Sequence, residues 1–208
     1  AFKYDKINVE NTCDVVGSSS RIAKFTESQD FISHYFVPKN NIKGLLVWHS
    51  VGTGKTCTAL ATKSKTWEKE DYTIIWVTRG TLKSDIWKNM FDIVCDHVIR
   101  DRLKNKENIP KGLRNMGDVR KYLSRKFLAP ISFRQFSNAC EGSGPIFQKL
   151  LSLNGAKDPF KKTLFIIDEV HKFFAKDLHG MEKANFPSIQ KAVYNSYKVS
   201  QEESCRIL

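Results

Sequence analysis

His49-Ser-Val-Gly52-Thr53-Gly54-Lys55-Thr56 follows directly on the apolar run Leu45 to Trp48 and precedes a stretch compatible with a helix. That order of strand, loop and helix gives the segment its meaning. Gly52 and Gly54 let the backbone curl without Cβ clashes, so that N–H groups and the N-terminus of the coming helix converge on one point. Such a point attracts phosphate. Ser50, Val51, Gly52, Thr53 and Gly54 read as the cradle, Lys55 as the charge on the β- and γ-phosphates, and the Thr56 hydroxyl as a ligand of magnesium. His49 stands where the usual spacing has a first glycine, but the Gly-Lys-Thr core keeps the context it needs.

A nucleotide held in this way needs a second site to hold the metal and prepare water. Leu164-Phe-Ile-Ile167-Asp168-Glu169-Val170-His171, about 110 residues on, supplies it. The apolar run predicts a buried strand whose end places Asp168 at the carboxyl edge of a sheet, where ligands of open α/β folds bind. Asp168 is then a further magnesium ligand. Glu169 can orient or deprotonate the attacking water, because phosphoryl transfer depends mainly on positioning and charge stabilisation. No Asn-Lys-x-Asp guanine reader follows, and Asn105-Lys106-Glu107-Asn108 lacks the required carboxylate, which sets a GTPase-type switch aside.

Outward from these anchors, short apolar runs alternate with helix-like stretches: Leu45 to Trp48, Ile74 to Val77, Leu164 to Ile167, and Ile207 to Leu208. The pattern predicts an α/β domain with a parallel sheet and helices on both faces. Thr26 and Gln29 have the spacing of a capping box before a helix over Ser28 to Phe36, which Pro38, Asn40 and Asn41 close. Leu82, Ile86, Met90, Ile93 or Val94, and Val98 recur at three- and four-residue spacing and predict a helix after Thr81. Trp48, Trp76, Phe173 and Phe174 are expected in the core.

With 208 residues, 41% of them apolar, the chain can bury one well-formed core. It has no apolar run long enough to span a membrane, and Ala1 to Glu10 is polar, so a soluble, unsecreted protein is expected. Five scattered cysteines, with no metal or disulfide spacing, read as ordinary thiols of a reducing compartment. The net charge of +12 favours a polyanionic partner. Much of it lies between Arg100 and Lys126, where ten basic residues face three acidic ones and Pro110, Gly112 and Gly117 interrupt the pattern. This stretch reads as a basic insertion with a short helix near Val119 to Lys126. Lys104, Lys106, Lys111 and Arg114 are its candidate phosphate contacts; a solvated loop and a dock for an acidic protein surface are the other readings.

Together, Gly52-Thr53-Gly54-Lys55-Thr56 and Asp168-Glu169-Val170-His171 resemble motifs I and II of the superfamily 2 DExH-box helicases and translocases. The resemblance implies a RecA-like domain over residues 25–208, a basic insertion at about 100–126, and an N-terminal extension over 1–24. It implies that His171 couples nucleotide state to the nucleic-acid site, and that Gln29 reads adenine, a role that stands beside capping. Val77-Thr78-Arg79-Gly80-Thr81-Leu82 looks like motif Ia, so Thr78 and Arg79 would touch a nucleic-acid backbone. Ile131-Ser132-Phe133-Arg134-Gln135-Phe136 resembles a looser motif Ib, and a short strand turning into a helix explains it as well.

Gly44 to Thr56 read with Asp168-Glu169-Val170-His171 is further similar to the transcription-associated ATPases of large cytoplasmic DNA viruses, of the poxvirus early transcription factor and nucleoside triphosphate phosphohydrolase type. This implies an ATP hydrolase of viral transcription, with DNA favoured over RNA. RNA polymerase or other transcription subunits would be further partners, and the cytoplasm, in a viral factory or virion, the place of action. In the family a Ser/Thr-Ala-Thr motif and a second RecA-like domain with catalytic arginines follow the strand at Cys205 to Leu208. Neither is present here, so the chain is expected to be the ATP-binding half, inactive or very slow in isolation. The alternative is a basic module that grips nucleic acid or a transcription complex and whose ATP site is silent. The intact Lys55, Thr56, Asp168 and Glu169 argue against it.

Overall fold

Every residue of Thr73–Thr78 (β1) is buried, as a β-branched run must be when helices cover both faces of its sheet. Ile131–Ser132 (β2) pairs with it on one side and Thr163–Ile167 (β3) on the other, while Arg206–Ile207 (β4) pairs with β3. The order is β2-β1-β3-β4 and every pairing is parallel. This is the α/β architecture expected of a RecA-like domain. The computed structural model describes residues 25–49, 54–89, 128–174 and 183–208. Ser50, Val51, Gly52 and Thr53, the basic insertion with Lys104, Lys106, Lys111 and Arg114, the N-terminal extension, and the helical pattern from Met90 to Val98 lie outside the described residues.

The run Leu45 to Trp48 departs from its expected strand. Gly44 bridges Ile207 in parallel, with the Leu45 N–H donating to the Ile207 carbonyl at 2.9 Å and the Ile207 N–H to the Lys43 carbonyl at 3.1 Å. Pairing is confined to that bridge. Leu45 packs on the core, whereas Leu46 and Trp48 are exposed, Trp48 by 88%, against its expected core position. No described element covers that side of the run. Trp76 is buried as expected.

Alternation along β1 feeds two cores. Ile74 and Trp76 face Phe36, which caps Glu27–Tyr35 (α1), together with Lys55–Thr62 (α2) and Ile86 of Lys83–Asn89 (α3). Ile75 and Val77 face Phe133–Cys140 (α4), Gly144–Asn154 (α5) and Phe186–Ser200 (α6). The predicted capping box is present: the Gln29 N–H donates to Thr26 Oγ1 at 3.3 Å, and the Thr26 N–H to Gln29 Oε1 at 3.0 Å. Beyond the helix, the Asn40 side-chain amide donates to the Tyr35 carbonyl, one of the acceptors that a helix end leaves open. A π-helical turn, Lys63–Trp67, follows α2 and swings Trp67 under α1, where its indole N–H meets the Phe36 carbonyl at 2.9 Å. At the other end of the sheet, β2 turns directly into α4 through a second capping box between Ser132 and Gln135, so the strand-then-helix reading of Ile131 to Phe136 describes its local structure.

The expectation of ordinary thiols fails at Cys57, which is disulfide-bonded. Cys140 and Cys205 are free. Burial raises both of their pKa values, that of Cys205 to about 11.

The loop before β3 is pinned by one buried carboxylate. Asp158 accepts the Phe160 N–H at 3.0 Å, the Ser196 hydroxyl at 2.8 Å and the Ser200 hydroxyl at 2.6 Å; Ser196 in turn accepts the Cys205 N–H at 3.0 Å. Loop, α6 and the entry to β4 share one hub. Asp158→Ala removes the acceptor from three donors at once and is expected to lower unfolding stability by about 3 kcal/mol. Urea denaturation measures it, and an unchanged midpoint would show that the hub contributes nothing net.

Candidate nucleotide site

After β3 the Asp168 N–H donates to the Val77 carbonyl at 2.9 Å, which holds this residue at the carboxyl end of the sheet. Glu169 then takes a left-handed backbone, φ +56°. That costs a non-glycine residue about 1 kcal/mol, and it turns the chain out of the strand direction into the 3-10 turn Val170–Phe174. The Lys172 N–H closes the turn on the Glu169 carbonyl at 2.8 Å. Glu169 is thereby aimed back across the sheet edge at α2. Its carboxylate accepts from Lys55 Nζ at 3.1 Å and lies 3.3 Å from Nε2 of His171. Lys55, Glu169 and His171 thus form one connected row beside Asp168. His171 itself is mostly exposed.

Gly54, the N-cap of α2, has φ +79°, and a Cβ there would stand 2.9 Å from the side-chain nitrogen of Gln29. Both the backbone and the available space therefore demand glycine. The same approach places Gln29, buried on α1, against the phosphate-loop end of α2. Its oxygen is engaged in the capping box while its amide nitrogen faces Gly54.

The two adjacent carboxylates differ in electrostatics. Burial raises the Asp168 pKa most, the neighbouring Glu169 raises it further, and Lys55 partly offsets both. The Glu169 pKa is lowered, first by its hydrogen bond from Lys55. Glu169 is therefore held ionised, while Asp168 is a desolvated carboxylate short of positive charge. Asp168 and the half-buried Thr56 hydroxyl are hard oxygen donors, the kind that suits magnesium, which uses few protein ligands and completes its shell with phosphate and water. Among the described residues there is no group of three or more His, Cys, Asp and Glu that could hold a metal ion.

The motif Ia residues divide. Arg79 is half-buried at the start of its loop, whereas Thr78 is fully buried, away from any surface where a phosphate backbone would lie. Its hydroxyl acts on the Asp168 carboxyl, lowering its pKa, but meets no acceptor at strict hydrogen-bond geometry. The residue type carried no signal of this position, which follows from the pairing of two strands distant in sequence. Of the two phenylalanines after the acidic box, Phe173 packs edge-on against Phe133 at 4.8 Å between ring centroids, and Phe174 is 65% exposed. The core expectation fails for Phe174, because the 3-10 turn points it outward, where it meets Phe186.

A family model described as the res subunit of type III restriction enzymes, ResIII, a helicase-type domain, matches residues 8–200. The chain belongs to the ResIII family. A protein of Acanthamoeba polyphaga mimivirus, whose name as an ATP-dependent RNA helicase is itself an inferred one, is 27% identical over 161 residues, covering 74% of this chain. The chain spans about a quarter of that relative's length. No solved structure matches it. ResIII membership identifies a helicase-type ATPase domain of superfamily 2. Among the described residues, no helix is long and apolar enough to cross a membrane.

Proposed function

We propose that this chain is the ATP-binding half of a nucleic-acid-dependent motor that translocates along nucleic acid or separates its strands during viral transcription. One observation carries the reading: Lys55 and Glu169, 114 positions apart, meet at 3.1 Å beside Asp168. The groups that a triphosphate, a metal and an attacking water require are gathered at one sheet edge.

The phosphates are received by the α2 N-terminus and the loop before it, with Ser50, Val51, Gly52, Thr53 and Gly54 as the cradle and Gln29 on the adenine side. Lys55 moves from Glu169 to the β- and γ-phosphates. Glu169, released, orients the water and takes its proton. Thr56 and Asp168 would hold magnesium, which supplies positive charge to the transferring phosphoryl group. His171 then reports the state of the site to the nucleic acid.

The net charge of +12 and the name of the mimivirus relative support a nucleic-acid partner. The viral relative also supports a viral setting, in which the resemblance to poxvirus-type ATPases favours DNA, transcription subunits including RNA polymerase, and a cytoplasmic factory or virion. ATP turnover by the full-length protein, with and without nucleic acid, tests the reading. Stimulated turnover is expected, and no turnover under either condition would make the chain a binding module with a silent site.

Nucleic acid is expected to be held by its backbone and not by its sequence, because a translocating motor must release and rebind at each step. Arg79 and the basic insertion are the proposed contacts. Replacing Lys104, Lys106, Lys111 and Arg114 by Gln or Ser should make the log-log salt dependence of binding shallower, by roughly 0.7 to 0.9 for each phosphate no longer neutralised. An unchanged slope and affinity would remove the insertion from the interface and leave the Arg79 loop.

A further inference from the structure

We propose that Thr78 is a positioning residue of the metal site, its buried hydroxyl orienting the Asp168 carboxylate, and that it is not a nucleic-acid contact. The inference rests on the reading of Asp168 as the metal carboxylate and extends it to a residue that the motif pattern places elsewhere.

Strand register carries the argument. β1 and β3 run parallel with Val77 opposite Ile167, so the next position along sets Thr78 against Asp168. The Asp168 N–H is fixed to the Val77 carbonyl at 2.9 Å, which holds the backbone of the two residues at the same level. On its other side Thr78 pairs with Ser132, whose hydroxyl is already engaged in capping α4. Thr78 is 0% exposed, and its Oγ1 is enclosed against the Asp168 carboxyl without a well-formed hydrogen bond.

A buried hydroxyl left in this way is unfavourable, and a carboxylate is the strongest acceptor it can find. A small rotation of either side chain lets the Thr78 hydroxyl donate to the Asp168 oxygen nearer β1. The other carboxylate oxygen is then turned toward the α2 N-terminus, where the phosphates and their metal are expected. Groups that hold a ligating carboxylate in this manner tune metal affinity without touching the metal.

The test uses full-length protein carrying Thr78→Val, which keeps the shape and removes the hydroxyl, and Thr78→Ser, which restores it. Binding of a fluorescent, non-hydrolysable ATP analogue is titrated against magnesium, nucleic-acid binding is measured without magnesium, and thermal melting is followed for each variant. Thr78→Val is expected to raise the magnesium needed for half-maximal nucleotide binding roughly tenfold. Nucleic-acid affinity and melting temperature should stay at the wild-type level, and Thr78→Ser should return the magnesium requirement close to normal. Thr78→Ala is the second hydroxyl-free variant if valine does not fold. A wild-type magnesium requirement in the hydroxyl-free variants, or a loss of nucleic-acid affinity, would overturn the proposal. Wild-type protein that binds the analogue equally well without magnesium would instead overturn the reading of Asp168, a separate failure.

Discussion

Glu169→Gln is expected to lower ATP turnover by roughly 10²- to 10⁴-fold while nucleotide binding survives, because the substitution removes a general base and keeps the shape of the side chain. The Lys55 hydrogen bond holds the Glu169 carboxyl below its ordinary pKa. When Lys55 turns to the phosphates, that hold is released and the carboxylate gains proton affinity when it has a proton to accept. A glutamine offers no such acceptor. It also no longer competes for the Lys55 ammonium, so a non-hydrolysable analogue should bind at least as tightly as to the wild type. Lys55→Ala has the opposite profile: nucleotide binding itself weakens, because a charge is taken from the phosphates. Steady-state turnover and equilibrium binding on the same preparations separate the two variants, and normal hydrolysis by Glu169→Gln would remove Glu169 from the chemistry.

The second large effect concerns what the 208 residues do alone. On the proposed function Asp168, Glu169, Lys55 and Thr56 hold and prepare the reactants, and Lys55 is the lysine that the described edge brings to Glu169. Families that place arginines on a second RecA-like domain gain roughly 10³ to 10⁵ in rate from such a group. The isolated residues are therefore expected to bind ATP weakly and to hydrolyse it slower than the full-length protein by a factor of that order. A phosphate-release assay on both settles it. Fast, nucleic-acid-stimulated turnover by the isolated residues would place the whole catalytic set within them.

Local patterns were legible in the residues, and non-local ones only where connectivity fixes the ends of regular elements. Thr26 and Gln29 announce a capping box because both bonds close within four residues, and both are formed. β1 and β3 are legible because continuous β-branched runs suit strands buried on two faces. Leu45 to Trp48 is a similarly apolar run yet lies beside a single bridge at Gly44, since burial depends on which neighbours cover a strand, and composition does not record neighbours. Lys55, Asp168 and Glu169 could be paired from sequence because each sits at the end of a regular element whose place in such a fold is fixed by connectivity. The Glu169 backbone conformation, which aims the carboxylate at Lys55, could not, as nothing about a glutamate favours φ +56°. The burial of Thr78 was illegible for a related reason: it depends on the register between β1 and β3, which no short segment carries.

The bridge between Gly44 and Ile207 bears on how the domain transmits force. β1 and β3 are zipped over five residue pairs, whereas the segment leading into the phosphate loop meets β4 through two backbone hydrogen bonds. One seam is stiff and the other compliant. On the proposed function a nucleotide would be gripped by unequal jaws, Asp168 on the rigid one and the N-terminus of α2 on the yielding one. Departure of a phosphate is then expected to relax the yielding jaw first, with displacement beginning on the α2 side and Asp168 as its fixed anvil.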